Sequence, residues 1–278
     1  MTDTPTARGK LYVVGTPIGN LADLSERARE ALAGADIIAA EDTRRTRGLL
    51  LHIRAETHVL AYHEHNERER TPQLLDKLVR GVTVAIVSDA GTPLISDPGW
   101  RLVHAARAAG IEVVPIPGPS AVIAALCAAG LPTDRFAFEG FLPRRSASRA
   151  QRLRELKTEP RTLVFFESVH RLPETFDALV EELGADRPAA LARELTKVHE
   201  QIVSATLAEL RARLAGEIPL LGEFVIVVAG AGDAPTEERR AREIYELLSA
   251  ELEPSKALKL TAAITGVSRN DLYRITRT

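Results

Sequence analysis

The sequence predicts an α/β protein of two α/β domains followed by a small helical tail. Three observations carry this. In the first half, short apolar runs alternate with helical patterns of about 10 residues, which is the pattern of βαβ units and a largely parallel sheet. Pro115-Ile116-Pro117-Gly118-Pro119 then interrupts the alternation, because three prolines and a glycine continue neither regular structure. A second break, Gly230-Ala231-Gly232-Asp233-Ala234-Pro235, precedes the tail. The expected units are 1–116, 117–232 and 233–278, and 278 residues suit a two-domain body at ~150 residues per domain.

Leu11–Val14 reads as a buried strand. Ser25 is an N-cap for a helix to Ala35, with apolar positions at Ala28, Ala31, Leu32 and Ala35. Ile37–Ala40 is a strand, Thr43–Leu51 a helix and Val59–Tyr62 a third strand. Pro72 is placed at the first turn of a helix over Gln73–Arg80. Val82–Val87 follows as a strand; Pro98 opens a helix over Gly99–Ala109, which Gly110 stops, and Glu112–Pro115 ends this half. Beyond the linker come a helix, Ser120–Ala129, and strands near Phe136–Phe138, Thr162–Phe166, Ala189–Ala192, Gln201–Ser204 and Phe224–Val228. Helices are expected near Ser146–Lys157, Pro173–Leu183 and Leu207–Leu214; fewer helices per strand predict a mixed sheet. In the tail, helices over Lys256–Thr265 and Arg269–Thr276 flank Gly266-Val267-Ser268, as in a helix-turn-helix or in a plain helical hairpin packed on the body. Cys127 and Trp100 are expected in the core.

Composition excludes several functions. With 36 basic and 38 acidic residues the net charge is −2, so nucleic-acid contact requires local basic patches. One cysteine excludes an intrachain disulfide and a multi-cysteine zinc site. The polar Met1–Pro5 start is no signal peptide, and no run approaches the ~20 apolar residues of a membrane span, so the expected address is the cytoplasm.

Two loops stand out, Gly15–Leu21 and Ser88–Gly99, each at the carboxyl end of an expected parallel strand, where open α/β sheets bind ligands. Neither carries a G-x-G-x-x-G or G-x-x-x-x-G-K-[ST] phosphate cradle. They offer instead the Asp89 carboxylate, small side chains and free backbone groups, which suit a ligand with an ammonium, hydroxyls and an adenine. Segment Arg144–Arg161 holds seven basic residues against Glu155 and Glu159, a net of +5 that reads as a phosphate-binding patch or a solvated helix face. His63-Glu64-His65-Asn66-Glu67 reads as a polar loop or an RNA-facing segment; two histidines two apart on a strand would share a face, but no third metal ligand accompanies them.

These runs resemble the tetrapyrrole methylase superfamily, and within it the family of 16S rRNA cytidine 2′-O-methyltransferases. The match is carried by Leu11–Leu21, Ala40-Glu41-Asp42-Thr43-Arg44, Ser88–Gly99, Pro117–Ala121, Phe165–Arg171 and Arg193–Glu200. The resemblance implies S-adenosylmethionine in a cleft between the two domains, 16S rRNA of the small ribosomal subunit as partner, and a homodimer. It implies cofactor contacts from Pro17, Asp89, Ala90, Gly91, Thr92, Pro93, Ser120, Ala121, Phe166, Leu195 and Phe224. Arg44, Arg45, Arg144, Arg145 and Lys197 are the expected RNA contacts. Methylating a ribose hydroxyl also removes a proton, and Glu41, Asp42, His63, Glu64 and Glu167 are candidate bases, none preferred. The rival readings are a corrin or porphyrin methylase of the superfamily, which would not need the +5 segment or basic tail, and a non-catalytic RNA-binding assembly factor, which would not need Asp89 or the two loops.

Overall fold

A computed structural model describes residues 9–231, 237–268 and 271–273. The first half is a five-stranded parallel sheet. Its strands are β1 (Lys10–Val14), β2 (Ile37–Ala40), β3 (His58–Ala61), β4 (Val84–Val87) and β5 (Glu112–Ile116), in the order β3-β2-β4-β1-β5. Helices α1 (Glu26–Gly34) and α2 (Thr43–Ile53) cover one face through Ala28, Leu32 and Leu50. Helices α3 (Glu67–Val79) and α4 (Trp100–Ala108) cover the other through Leu74, Leu78, Leu102 and Ala106. The chain therefore leaves β1 and β2 toward one face and β4 toward the opposite face. The crevice at the carboxyl end of β4 is a topological switch point, where such sheets place ligands. Pro115 lies inside β5, tolerated because β5 is an edge strand, so the linker begins only at Pro117.

The second sheet is mixed, as its low helix count predicts. It comprises β6 (Phe136–Phe141), β7 (Thr162–Ser168), β8 (Pro188–Arg193), β9 (Gln201–Thr206) and β10 (Glu223–Val228), in the order β6-β7-β10-β8-β9. Only β6 and β7 pair in parallel. This alternation brings the carboxyl ends of β6, β7 and β8 and the amino end of β10 to one edge. Helices α6 (Ser146–Glu155), α7 (Leu172–Leu183) and α8 (Leu207–Arg213) back one face, with Leu153, Phe176 and Leu210 in the core. Helix α5 (Ala121–Ala129) covers the other with Val122, Ala125 and Leu126. Ile18, from the loop after β1, is buried in this same core beside Val225 and Leu195, so the first half is pinned into the second.

The tail contains α9 (Glu237–Glu251) and α10 (Pro254–Thr265). Ala241, Leu258 and Leu272 form their own small core with Tyr245, Ala262 and Val267. Most of the expected Arg269–Thr276 helix and of the Gly230–Pro235 linker lies outside the described residues.

Several expectations are corrected. Helix α3 begins at Glu67, with Pro72 inside it. Its apolar periodicity starts only at Leu74, which hid a first turn whose acids Glu67 and Glu69 favour a helix N-terminus. His63 and His65 lie in the loop entering α3, as the polar-loop reading has it and not on the strand that a shared face would need, because β3 ends at Ala61. Cys127 is exposed, since α5 buries only its sheet-facing side. Trp100, the first residue of α4, is 61% exposed.

Candidate active site

Backbone contacts assemble the site before any side chain does. Gly91 has φ +80°, where a Cβ is strained, and exchanges two hydrogen bonds with Thr16: Thr16 N–H to Gly91 O at 2.8 Å and Gly91 N–H to Thr16 O at 3.1 Å. The two distinctive loops are thereby tied together. Behind them Gly15 and Gly118 touch, and a Cβ on Gly15 would stand 2.8 Å from the Gly118 backbone. Thr92 Oγ1 adds a bond to Pro119 O at 3.2 Å, tying in the segment before α5.

Between these loops and the open edge of the second sheet lies a cavity of about 440 Å³. Asp89, Ala90, Gly91, Thr92, Ser120, Ala121, Phe166, Leu195 and Phe224 all line it; Pro17 and Pro93 do not, their places being taken by Ile18 and Thr92. Phe138, Phe141 and Phe166 form an aromatic group on the second-sheet side, with Phe138–Phe166 centroids 4.9 Å apart. A second cavity of about 340 Å³ adjoins the first, and Glu41, Ser96 and Asp97 line both.

Three carboxylates meet here. Glu41 follows β2, while Asp89 and Asp97 belong to the loop after β4. Asp89 Oδ1 accepts the Asp42 N–H at 2.8 Å, and Arg45 lies 3.7 Å from Oδ2. Burial, then the negative charge of Asp89, pushes the Glu41 carboxyl up. Burial, then the charge of Glu41, pushes Asp97 up to about 6, against a Ser88 hydrogen bond that lowers it.

The remaining candidates have other employment. Asp42 caps α2 by accepting the Arg44 N–H at 2.8 Å, and the Arg44 side chain holds its carboxyl at about 2. Glu167 lines the cavity but is buried, bonded to Thr175 Oγ1 at 2.6 Å, Arg171 Nη2 at 3.0 Å and the Ser168 N–H at 2.8 Å, so its lone pairs serve the fold. Glu64 is exposed and lines only the second cavity, and His63 bonds Asn66 beside it. Lys197 is neutralised by Glu194 at 2.7 Å and Glu223 at 3.0 Å. The +5 segment is largely cancelled: Arg149 pairs with Glu174, Arg152 with Glu139 and Glu155, Arg154 with Glu182 and Arg161 with Glu159. Three of those acids lie outside the segment and reach it only through folding. Arg144 and Arg145 remain exposed.

Two family models match the chain: Tetrapyrrole (Corrin/Porphyrin) Methylases over residues 10–211, and the RsmI C-terminal HTH domain over 233–275. A protein of Xylella fastidiosa (strain Temecula1) named "Ribosomal RNA small subunit methyltransferase I" is 52% identical over 95% of this chain and 98% of its own. One of the same name from Escherichia coli O157:H7 is 50% identical over 96% and 94%. The chain belongs to the ribosomal RNA small subunit methyltransferase I family of tetrapyrrole methylases. The methylase fold is matched by the solved structure of the methyltransferase CobJ, at TM-score 0.59 and 23% identity over 80% of this chain and 95% of that one. It is matched also by uroporphyrin-III C-methyl transferase from Thermus thermophilus complexed with S-adenyl homocysteine, at TM-score 0.56 and 22% identity over 80% and 97%.

In this tetrapyrrole methylase the cavity-lining residues that sequence reasoning missed include Ile95, Ser96, Asp97, Phe141 and Glu223. Leu94 and Ser96 both adopt left-handed backbone, φ 73° and 65°, which turns the end of the loop back toward the cavity. Asp97 was in view within the Ser88–Gly99 run, but nothing in the run signalled that turn.

Proposed function

We propose that this chain transfers the methyl group of S-adenosylmethionine to a cytidine ribose 2′-oxygen in 16S rRNA, in the decoding region of the small ribosomal subunit. The observation that carries this reading is the convergence of Glu41, Asp89 and Asp97 on a cavity at the switch point, in a chain that matches a protein named as an rRNA methyltransferase over 95% of its length. The residues suit the cofactor. Three carboxylates against Arg45 complement a cation, Phe141 and Phe166 offer apolar surface, and the Ala90–Thr92 and Ser120–Ala121 segments supply backbone groups. When bound, the cofactor supplies an electrophilic methyl group on a sulfonium.

The chain itself positions the hydroxyl and takes its proton. Asp97 is the acceptor in this reading, because it stands where the two cavities meet and a carboxyl near 6 is ionised yet still basic at neutral pH. In this reading an Asp97 carboxylate oxygen would accept the 2′-hydroxyl proton, leaving the ribose oxygen free to take the methyl group. Mass mapping of 2′-O-methyl groups on small subunits incubated with the protein and S-adenosylmethionine tests the function: one new methyl on a cytidine ribose is expected, and none would overturn the reading.

In the same reading the chain works as units 1–116, 117–232 and 233–278, in the cytoplasm and as a homodimer. Each sheet and the tail have cores of their own, Ile18 being the first-half residue that crosses into the core of the second sheet, and this supports the division. Among the described residues no helix is long and apolar enough to cross a membrane.

Reversing Arg144 and Arg145 to glutamate is expected to weaken RNA binding and to reduce the salt slope by about 0.7–0.9 per lost phosphate contact. Cofactor affinity should hold. Binding measured against salt concentration decides, and unchanged RNA affinity at low salt would remove the assignment. A chain ending at Gly232 is expected to fold and bind cofactor, because none of the four body cores includes a tail residue. It should methylate dilute subunits slowly through a raised KM; wild-type turnover there would give the tail another task.

A further inference from the structure

We propose that the second cavity is the pocket for the target nucleoside, with Trp100 stacking on its base; the proposal rests on the rRNA methyltransferase reading above. The cavity's place comes first. It shares Glu41, Ser96 and Asp97 with the larger cavity, so a group at that boundary faces both compartments. A methyl acceptor must lie at such a boundary, in line with the methyl it receives. At about 340 Å³ the second cavity is also within the size range of small-molecule sites, roughly 300–1,000 Å³.

Its walls select the occupant. Trp100 lines it while 61% exposed, and the indole is fixed from its own helix: it stacks on His104, centroids 5.4 Å apart at 22°, with the Arg101 guanidinium 5.8 Å from its ring centre. An aromatic held by its helix neighbours and still mostly exposed offers its remaining surface as a platform for a nucleobase. Much of the remaining wall is carboxylate: Glu64 joins Glu41 and Asp97 around the cavity, beside a Glu67 whose Oε1 already accepts from Arg101 Nε at 2.8 Å. Such walls repel phosphate, so the strand's backbone stays outside and the nucleoside enters alone. Ribose hydroxyls and an exocyclic amine donate to carboxylates. Cytosine presents a donor at N4, where uracil presents the O4 acceptor, so a wall carboxylate at that edge of the base favours cytidine over uridine.

Trp100 is the sole tryptophan, so tryptophan emission reports this position alone. The test titrates the full chain with an end-labelled 12-nucleotide RNA carrying one central cytidine. Anisotropy reads binding and emission reads stacking. Emission should be quenched as the RNA binds, should be quenched less by the RNA with uridine at that place, and should hold when S-adenosylmethionine is added alone. Trp100→Ala should keep its cofactor affinity by calorimetry and lose about 5- to 150-fold in kcat/KM on small subunits, the fold-change of one lost base stack. Trp100→Phe should restore most of it. RNA binding with unchanged emission, or wild-type turnover by Trp100→Ala, would overturn the proposal. A wild-type protein that transfers no methyl at all would instead strike the underlying reading.

Discussion

Asp97→Asn is expected to lower the rate of methyl transfer by about 10²- to 10⁴-fold, the usual contribution of a positioned base. The protein should still fold and bind S-adenosylmethionine. In the wild type, single-turnover rates should rise with pH through about 6 and then level, as Asp97 ionises. The asparagine variant should lack that rise. A residual rate with the same pH profile would assign the proton to another group, Glu41 being nearest in place and environment. Stability gives an independent readout, with a definite sign. The folded Asp97 carboxyl titrates near 6 and its ordinary value is 3.8. Above 6 the folded state carries the full penalty of an ionised carboxylate that is buried and held among Glu41 and Asp89. As pH falls from 6 toward 4, only the folded state takes up the proton, and stability rises. The Tm advantage of Asp97→Asn over wild type should therefore be greatest above pH 7 and shrink below pH 5.

The second large effect concerns the loop tie. Asp89→Ala removes an ionised acceptor from the cavity wall. A charge-assisted bond is worth roughly 1.5–3 kcal/mol, so S-adenosylmethionine affinity should fall by about one to two decades. The same change strips the Asp42 N–H of its 2.8 Å partner, so part of the loss comes through the start of α2. Gly91→Val should do comparable harm by a different route. Its φ of +80° is costly for a branched residue, and a Cβ there would sit 3.1 Å from Ile18 Cγ2. Isothermal titration with folded variants checks both. A folded Asp89→Ala protein with wild-type cofactor affinity would confine Asp89 to holding the loop.

The strands and most helices were legible because apolar runs and caps are local signals. Ser25 accepts the Ala28 N–H at 3.2 Å as its position implies. Asp89 and Gly91 were legible as cavity-lining residues because loops at strand ends recur in α/β sheets, whereas Ser120 came only with the family resemblance. Charge was read less well. Sequence counts Arg152 and Arg154 as free cations, whereas Glu139 arrives from β6 and Glu182 from α7 to pair with them. Trp100 and Cys127 misled for a related reason: residue type sets an average burial, and a helix terminus or the outer side of an apolar helix departs from it. Asp97 was hidden behind two left-handed residues, neither of them glycine.

Ile18 has a kinetic consequence. Because it is buried in the core of the opposite sheet, the halves cannot swing apart like jaws without exposing that core to water. Ligand exchange must then proceed through a mouth that stands open in the resting protein. Association should follow diffusion and local charge, with a weak temperature dependence, and release should be governed by how tightly the walls hold rather than by a hinge.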